Sequence, residues 1–185
     1  MKERELNMFR EERESPRFDW SMIGDIGLGR PNLGTTMDVA VYRLMQFTIR
    51  DVMIQRFGPA VTDQILYQAG ELAGREFCKA NLTPNNDLHS FLQEVQGLLE
   101  TLKIGIVRVE KLDLEIKEFI ITVSEDLDCS GLIACNETIC TYDEGFLSGL
   151  LSQHTGIEFQ AEEIDCWCSG ARVCRFKISP VNLNV

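Results

Sequence analysis

The sequence predicts an α+β domain in which helices pack on a mostly antiparallel sheet of four strands. Apolar residues recur at helical spacing in the first half of the chain and alternate with polar residues in the second half. A further helical segment separates two pairs of strands. The order of three helices, two strands, one helix and two strands is typical of an α+β fold. The 185 residues are enough for one domain with a short appendage.

Four helices are predicted, over residues 38–57, 60–81, 88–102 and 141–153. The second helix carries Gly70 and Gly74 one turn apart, and the fourth carries Gly145 and Gly149 at the same spacing. Glycine lowers helix propensity by about 1 kcal/mol relative to alanine, so a repeated pair needs a compensating role. We interpret these pairs as places where a neighbouring backbone packs closely.

Four strands are predicted, over residues 104–109, 114–123, 157–168 and 173–178, with turns at residues 111–113 and 169–171. The second of these turns sets the register of the final hairpin. With that loop, Cys168 pairs with Arg172 and Cys166 stands opposite Cys174.

Residues 1–37 are predicted to form an N-terminal arm ahead of a domain that spans residues 38–185. Its first part is charged, and its second part is rich in glycine and aromatic residues. Because those aromatic and aliphatic side chains need cover, the arm is expected to pack on the body or on a second subunit. A homodimer formed through the arm is therefore expected.

Composition narrows the class of partner and the compartment. Asp and Glu number 29 against 18 Lys and Arg, giving a formal charge of −11, which disfavours a broad nucleic-acid-binding surface. No apolar run approaches the ~20 residues that span a bilayer, and the N-terminus lacks a secretory signal. We expect a cytoplasmic protein with reduced thiols.

Six of the seven cysteines lie between Cys129 and Cys174. The predicted hairpin brings the Cβ atoms of Cys166 and Cys174 to about 4.5–5.5 Å, which suits two thiolates on one metal ion. It would also suit a disulfide, which a reducing compartment disfavours. Cys168 shares their strand face and is either a further ligand or a small core residue.

Two more residues complete a possible ligand set. Cys140 directly precedes the fourth helix, whose N-terminus favours thiolate. Glu163 lies on the opposite strand face from Cys166 unless a bulge turns it. Together Cys140, Glu163, Cys166 and Cys174 would provide three sulfurs and one oxygen, a closed set typical of a structural metal site.

The segment from Cys140 to Gly149, the Glu163–Cys166 segment and Cys174-Arg175-Phe176 resemble the domain family named after 4-vinyl reductase. The resemblance covers roughly residues 38–178 and extends to sensory domains of phenol- and xylene-responsive activators. It implies a zinc site at Cys140, Glu163, Cys166 and Cys174. It also implies helices packed on an antiparallel sheet around an apolar ligand cavity.

The leading functional hypothesis is a small-molecule sensor domain with a structural zinc ion. Its ligand would be hydrophobic or aromatic, and the pocket residues expected are Phe119, Ile121, Phe146 and Trp167. The sequence contains no Walker, GxSxG or dinucleotide-binding motif, so an autonomous hydrolase or NAD enzyme is unsupported. The chain also lacks an output domain, so signalling would require a separate protein partner.

Two alternatives remain open. Cys129, Cys135 and Cys168 are additional to the four-ligand pattern, and they could belong to an iron–sulfur cluster or act as redox thiols. An accessory role in tetrapyrrole vinyl reduction is suggested by the family name alone.

Overall fold

The computed structural model describes Phe9 and residues 12–181. The helices are α1 (Ile26–Gly29), α2 (Val39–Phe57), α3 (Pro59–Asn81), α4 (Leu88–Thr101) and α5 (Thr141–Thr155). The strands are β1 (Ile106–Asp113), β2 (Glu118–Ser124), β3 (Phe159–Asp165) and β4 (Cys174–Pro180). This order confirms the predicted α+β class. Within the described ranges, no helix combines the length and apolarity needed to cross a membrane.

The N-terminal segment that was predicted as an extended arm contains two short helical turns. A 3-10 turn at Trp20–Ile23 precedes the single turn of α1. The Trp20 ring packs edge-on against Phe77 of α3 with centroids 5.8 Å apart, so this part of the arm contacts the body. Residues 1–8, 10, 11 and 182–185, which belong to the predicted arm and domain ends, lie outside the described residues.

All pairs of neighbouring strands in the four-stranded sheet are antiparallel, and their order is β1-β2-β4-β3. The turn between β1 and β2 lies at residues 114–117, after the predicted position, because Leu112 and Asp113 still pair with Phe119 and Glu118. The second strand is correspondingly shorter at its start. Alternation alone could not place this turn, since apolar Leu114 and Ile116 continue the strand pattern into it.

The predicted register of the final hairpin is wrong. β3 ends at Asp165, which pairs with Arg175, and residues 167–169 form a 3-10 turn. Cys166 and Cys168 therefore lie in the connection, and Cys174 is the first residue of β4. A bulge between Glu163 and Asp165 shifts the register, as the placement of Glu163 required.

Helices α3 and α5 cross with their backbones in close contact at the four glycines. A Cβ atom added at Gly70 would overlap the carbonyl oxygen of Tyr142, and one at Gly149 would overlap that of Glu71. Gly74 and Gly145 meet backbone oxygens in the same way. This confirms the interpretation of both glycine pairs as sites of close backbone packing.

Helix α5 also covers the edge of the sheet that β3 would otherwise leave open. Ser152 Oγ and Ser148 Oγ accept hydrogen bonds from the backbone N–H groups of Phe159 and Ala161 at 2.9 and 2.8 Å. Glu144 Oε1 accepts one from Glu163 N at 2.7 Å. Because these three side chains follow each other at four-residue spacing, one helix face satisfies alternate strand donors and prevents edge pairing.

The main core lies between the sheet and the helices α4 and α5. It contains three fully buried aromatic rings, Phe91, Phe119 and Phe176, with Leu150 and Leu151 from α5. The buried thiols continue this core toward the end of the sheet where β4 begins. The fold thus places the cysteine-rich loops at one end of a packed interior.

Candidate metal centre

Four cysteine thiols from separate segments converge in the interior. Cys129 lies in the loop after β2, Cys140 caps the N-terminus of α5, Cys166 follows β3, and Cys174 begins β4. All four sulfur atoms lie within 4.8 Å of one another, and each residue is at most 1 % exposed. The four thiols are close enough to bind one metal ion.

The separations between sulfurs fit a single tetrahedral ion. With metal–sulfur bonds near 2.3 Å, the edge of a tetrahedron is about 3.8 Å. The Cys140 sulfur lies 3.9 Å from that of Cys166 and 3.8 Å from that of Cys174. The Cys129 sulfur lies 4.0 and 3.1 Å from the same two atoms. Ligands of a cluster bind different iron atoms and would lie farther apart.

A buried aspartate shapes the loop that presents Cys129. Asp126 Oδ1 accepts hydrogen bonds from Asp128 N at 2.8 Å and from Cys129 N at 3.0 Å. Such a side-chain-to-backbone bond two to three residues on is what aspartate provides in turns. Sequence analysis placed Cys129 only among the additional thiols. The aspartate three residues earlier is the signal that could have indicated an ordered turn there.

Glu163 lies beside the four thiols and holds the start of α5. Its Oε2 accepts hydrogen bonds from Ile139 N and Cys140 N at 3.1 and 3.0 Å. Its Oε1 is buried and has no hydrogen-bond partner among the described residues. Burial raises the pKa of Glu163 to about 9. The carboxylate therefore positions Cys140 through the backbone, and it retains one oxygen that no protein donor satisfies.

Hydrogen bonding within the thiol group favours thiolate at two positions. Hydrogen bonds from the Cys140 thiol lower the pKa of Cys166 to about 4, and they also lower the pKa of Cys129. Metal ions bind thiolates, so these two sulfurs are prepared for coordination.

The remaining two cysteines of the region lie apart from this group. Cys168 is buried in the 3-10 turn, whereas Cys135 is exposed. Their backbones meet, because Cys135 N and Asn136 N both donate to Cys168 O at 2.9 Å. Burial raises the pKa of Cys168 to about 12, which favours its neutral thiol.

Helix α2 grips the loop that carries Cys129 by polar contacts. Tyr42 Oη donates to Asp128 Oδ1 at 2.8 Å, and Gln46 Nε2 donates to Asp128 Oδ2 at 2.6 Å. Arg43 donates to the carbonyl oxygens of Leu127, Ser130 and Asp126 at 2.7, 2.9 and 3.3 Å. The first helix of the body therefore holds this loop in place.

Two cavities of about 240 Å³ each lie on opposite parts of the domain. The α2 cavity lies between α2, Leu66 of α3 and the loops at Asp128 and Ile139. The sheet-end cavity is lined by Leu88, Leu114, Phe119 and His154, among others. The His154 ring stacks on Phe91, with centroids 3.7 Å apart.

The four expected pocket residues do not share one cavity. Phe119 lines the sheet-end cavity, and Trp167 lines a more open cavity of about 440 Å³ near Arg43. Ile121 is buried in the core, and the Phe146 ring packs edge-on against Phe77 with centroids 5.4 Å apart.

Comparison with known proteins places the fold. Residues 119–180 match the V4R domain family. The uncharacterized protein MJ1642 of Methanocaldococcus jannaschii is 23 % identical over 151 residues, which are 81 % of this chain and 82 % of that protein. The crystal structure of a vinyl-4-reductase family protein from the same organism has a TM-score of 0.58 at 18 % identity. The match covers 80 % of this chain and 85 % of that one.

Two solved structures of other proteins share the fold at similar TM-scores. The phenol-responsive sensory domain of the transcription activator PoxR, solved with phenol, has a TM-score of 0.62 at 13 % identity, covering 80 % of this chain and 76 % of that one. A trafficking protein particle complex subunit 3 from Naegleria fowleri, covalently bound to palmitic acid, has a TM-score of 0.62 at 11 % identity, covering 78 % of this chain and 95 % of that one.

Proposed function

Because residues 119–180 belong to the V4R domain family, we propose that this protein is a small-molecule sensor or carrier domain with a structural zinc ion. The observation that carries the proposal is the convergence of four buried thiols on one tetrahedron-sized space. Bound zinc would join the loop after β2, the start of α5 and the β3–β4 connection. A reducing compartment such as the cytoplasm keeps these thiols available.

The proposed ligands are Cys129, Cys140, Cys166 and Cys174. Four protein ligands leave no open position, which is the mark of a structural site. Glu163 takes the neighbouring role of orienting the Cys140 backbone. This set exchanges the predicted oxygen of Glu163 for the sulfur of Cys129. Iron–sulfur and thiol-redox functions are less well supported, because the short sulfur separations favour a single ion.

Metal content tests this assignment directly. Protein purified without oxygen is expected to contain zinc, with no acid-labile sulfide. Cys129→Ser should lower zinc affinity 10-fold or more, whereas Glu163→Gln should retain most of it. Cys135→Ser is the matched control, because this thiol is exposed and outside the group. Iron with sulfide in place of zinc would contradict the proposal. Zinc lost in Glu163→Gln and kept in Cys129→Ser would restore the ligand set with Glu163.

The sheet-end cavity is the proposed ligand site. Its walls are mainly apolar, with Lys117 and His154 as polar groups. An engineered cavity of about 150 Å³ is enough for benzene, so 240 Å³ suits a small aromatic molecule. The phenol bound by the sensory domain of PoxR and the palmitic acid held by the trafficking subunit support a hydrophobic ligand on this fold.

Binding of phenol and toluene, followed by calorimetry and by thermal unfolding, tests this cavity. Leu114 is 68 % exposed at the cavity mouth, so Leu114→Trp should block entry and lower affinity at least 10-fold without repacking the core. Ile133→Trp, at a loop position that is 92 % exposed, should leave binding unchanged. Equal affinity in both variants would assign the ligand to another cavity.

We also propose that a second copy of the chain covers α2. No α2 residue is fully buried, and six of its apolar side chains are between 47 and 66 % exposed: Val41, Leu44, Met45, Ile49, Val52 and Phe57. Monomeric proteins rarely expose an apolar face of this extent. Pairing of the same helix from two copies would bury the face in a symmetric contact. Sensor output then requires a separate protein partner.

A further inference from the structure

A second group of possible ligand atoms lies next to the four thiols and shares one of them. Carboxylate oxygens of Asp126 and Asp143 and the Cys140 sulfur all lie within 4.8 Å of one another. We propose that these three residues hold a second divalent cation, with the Cys140 thiolate bridging it to the zinc. This inference rests on the proposed four-thiol site and extends it to a two-metal centre.

Asp143 provides the observation that points to a ligand. Its Oδ2 is completely buried and has no hydrogen-bond partner among the described residues. A buried carboxylate oxygen without a donor costs several kcal/mol unless a proton or a cation satisfies it. The residue lies in the first turn of α5, one turn after Cys140, so the helix holds both groups at one end.

Asp126 is itself only 4 % exposed. Its Oδ1 is occupied by the backbone N–H groups of Asp128 and Cys129, while Oδ2 accepts neither of these bonds. The same turn that presents Cys129 therefore brings a second carboxylate oxygen to the thiol group.

The charge around the thiols favours a second cation. Four thiolates on one divalent ion leave a net charge of −2, and Asp126, Asp143 and Glu163 add buried acids beside it. The nearest basic side chains are used elsewhere. Arg43 donates to backbone carbonyl oxygens, and Arg50 pairs with Asp63 at 2.5 Å. Attraction between a cation and these acids is strong because the site is screened from water.

The ligand chemistry narrows the choice of ion. Two carboxylate oxygens and one thiolate form a mixed set that suits zinc, ferrous iron, cobalt or manganese, whereas magnesium and calcium prefer oxygen alone. Three protein ligands leave an open coordination position, which water or a ligand atom can take. The second ion would therefore differ from the closed zinc site in being able to bind a further molecule.

Metal stoichiometry tests the proposal. Metal-free protein is titrated with Co²⁺ or Zn²⁺, and bound ions are counted by native mass spectrometry. We expect two ions per chain in the natural protein and one in Asp143→Asn, with the thiolate-to-cobalt absorption of the first site unchanged. Asp165→Asn, an exposed carboxylate at the end of β3, is the control and should bind two.

A second readout does not depend on a variant. Two cobalt ions bridged by one thiolate couple magnetically, so the paramagnetic resonance signal per ion should fall as the second equivalent binds. One ion at saturation with full cobalt–thiolate absorption would overturn the second site and leave the zinc proposal intact. Two ions in Asp143→Asn would also overturn it. Absence of cobalt–thiolate absorption in every sample would overturn both proposals.

Discussion

Single glycine residues decide how closely α3 and α5 approach each other. At Gly149 and Gly70 the facing group is backbone, so a methyl group cannot be accommodated by turning a side chain. Close approach lets Tyr67 Oη reach Ser148 Oγ at 2.8 Å, and Ser148 in turn bonds to the edge strand. The crossing therefore aligns α5, which begins at Cys140, relative to the sheet.

Gly149→Ala should destabilise the zinc-loaded protein by about 2 kcal/mol or more, because the added methyl overlaps the Glu71 backbone. Gly97→Ala is the matched control. Its added methyl would meet nothing within 4 Å, so it should stabilise α4 by up to about 1 kcal/mol through helix propensity. Urea unfolding measures both. Equal midpoints for the two variants would show that the crossing tolerates a side chain.

Sequence reasoning reached these glycines because their spacing is local. It did not reach the place of Cys129, since the contact of this thiol with Cys174 joins positions 45 residues apart through an irregular loop. Glu163 shows the intermediate case. The need for a bulge followed from strand parity, but the hydrogen bonds from its carboxylate to the start of α5 depend on tertiary structure.

At the scale of elements, α2 is attached to the body largely through polar side chains. Arg43 alone meets three carbonyl oxygens of the loop around Cys129, while the apolar residues of the helix remain exposed. The helix was predicted from its periodicity, and its bounds agree within a residue. Its orientation was not predicted, because an apolar stripe does not reveal which neighbour will cover it.

Arg43→Met should release this loop while keeping the length of the side chain. We expect a loss of about 1.5–3 kcal/mol in stability from the charged hydrogen bonds, and zinc transfer to a coloured chelator about 10-fold faster. Arg56→Met in the last turn of α2 is the control, because Arg56 makes no hydrogen bond or ion pair with the described residues. Identical zinc-release rates in both variants would show that α2 does not support the metal loop.

The whole molecule combines a well-packed interior with an exposed apolar helix face. The α+β class and the order of elements followed from the sequence, because the change of hydrophobic period is an average over many residues. The register of the final hairpin did not follow, since a single bulge and a 3-10 turn move every later residue. The fold was thus easier to predict than the geometry of its site.

Sedimentation equilibrium tests the proposed contact between two copies. The natural protein should sediment at twice the 21.0 kDa mass of one chain. Ile49→Lys places a charge in the middle of the α2 face and should weaken association by at least 10-fold, whereas Ile133→Lys on a distant exposed loop should not. A monomeric natural protein would reject self-association through α2.

The position of Cys174 at the start of the last strand has a consequence for biosynthesis. The other three thiols leave the ribosome earlier, and the fourth emerges only when about a dozen residues remain to be translated. A complete zinc-binding set therefore cannot exist on a growing chain. Metal acquisition becomes one of the final steps of maturation, and a nascent chain stalled before β4 would carry up to three unprotected sulfurs into the cell's surveillance machinery.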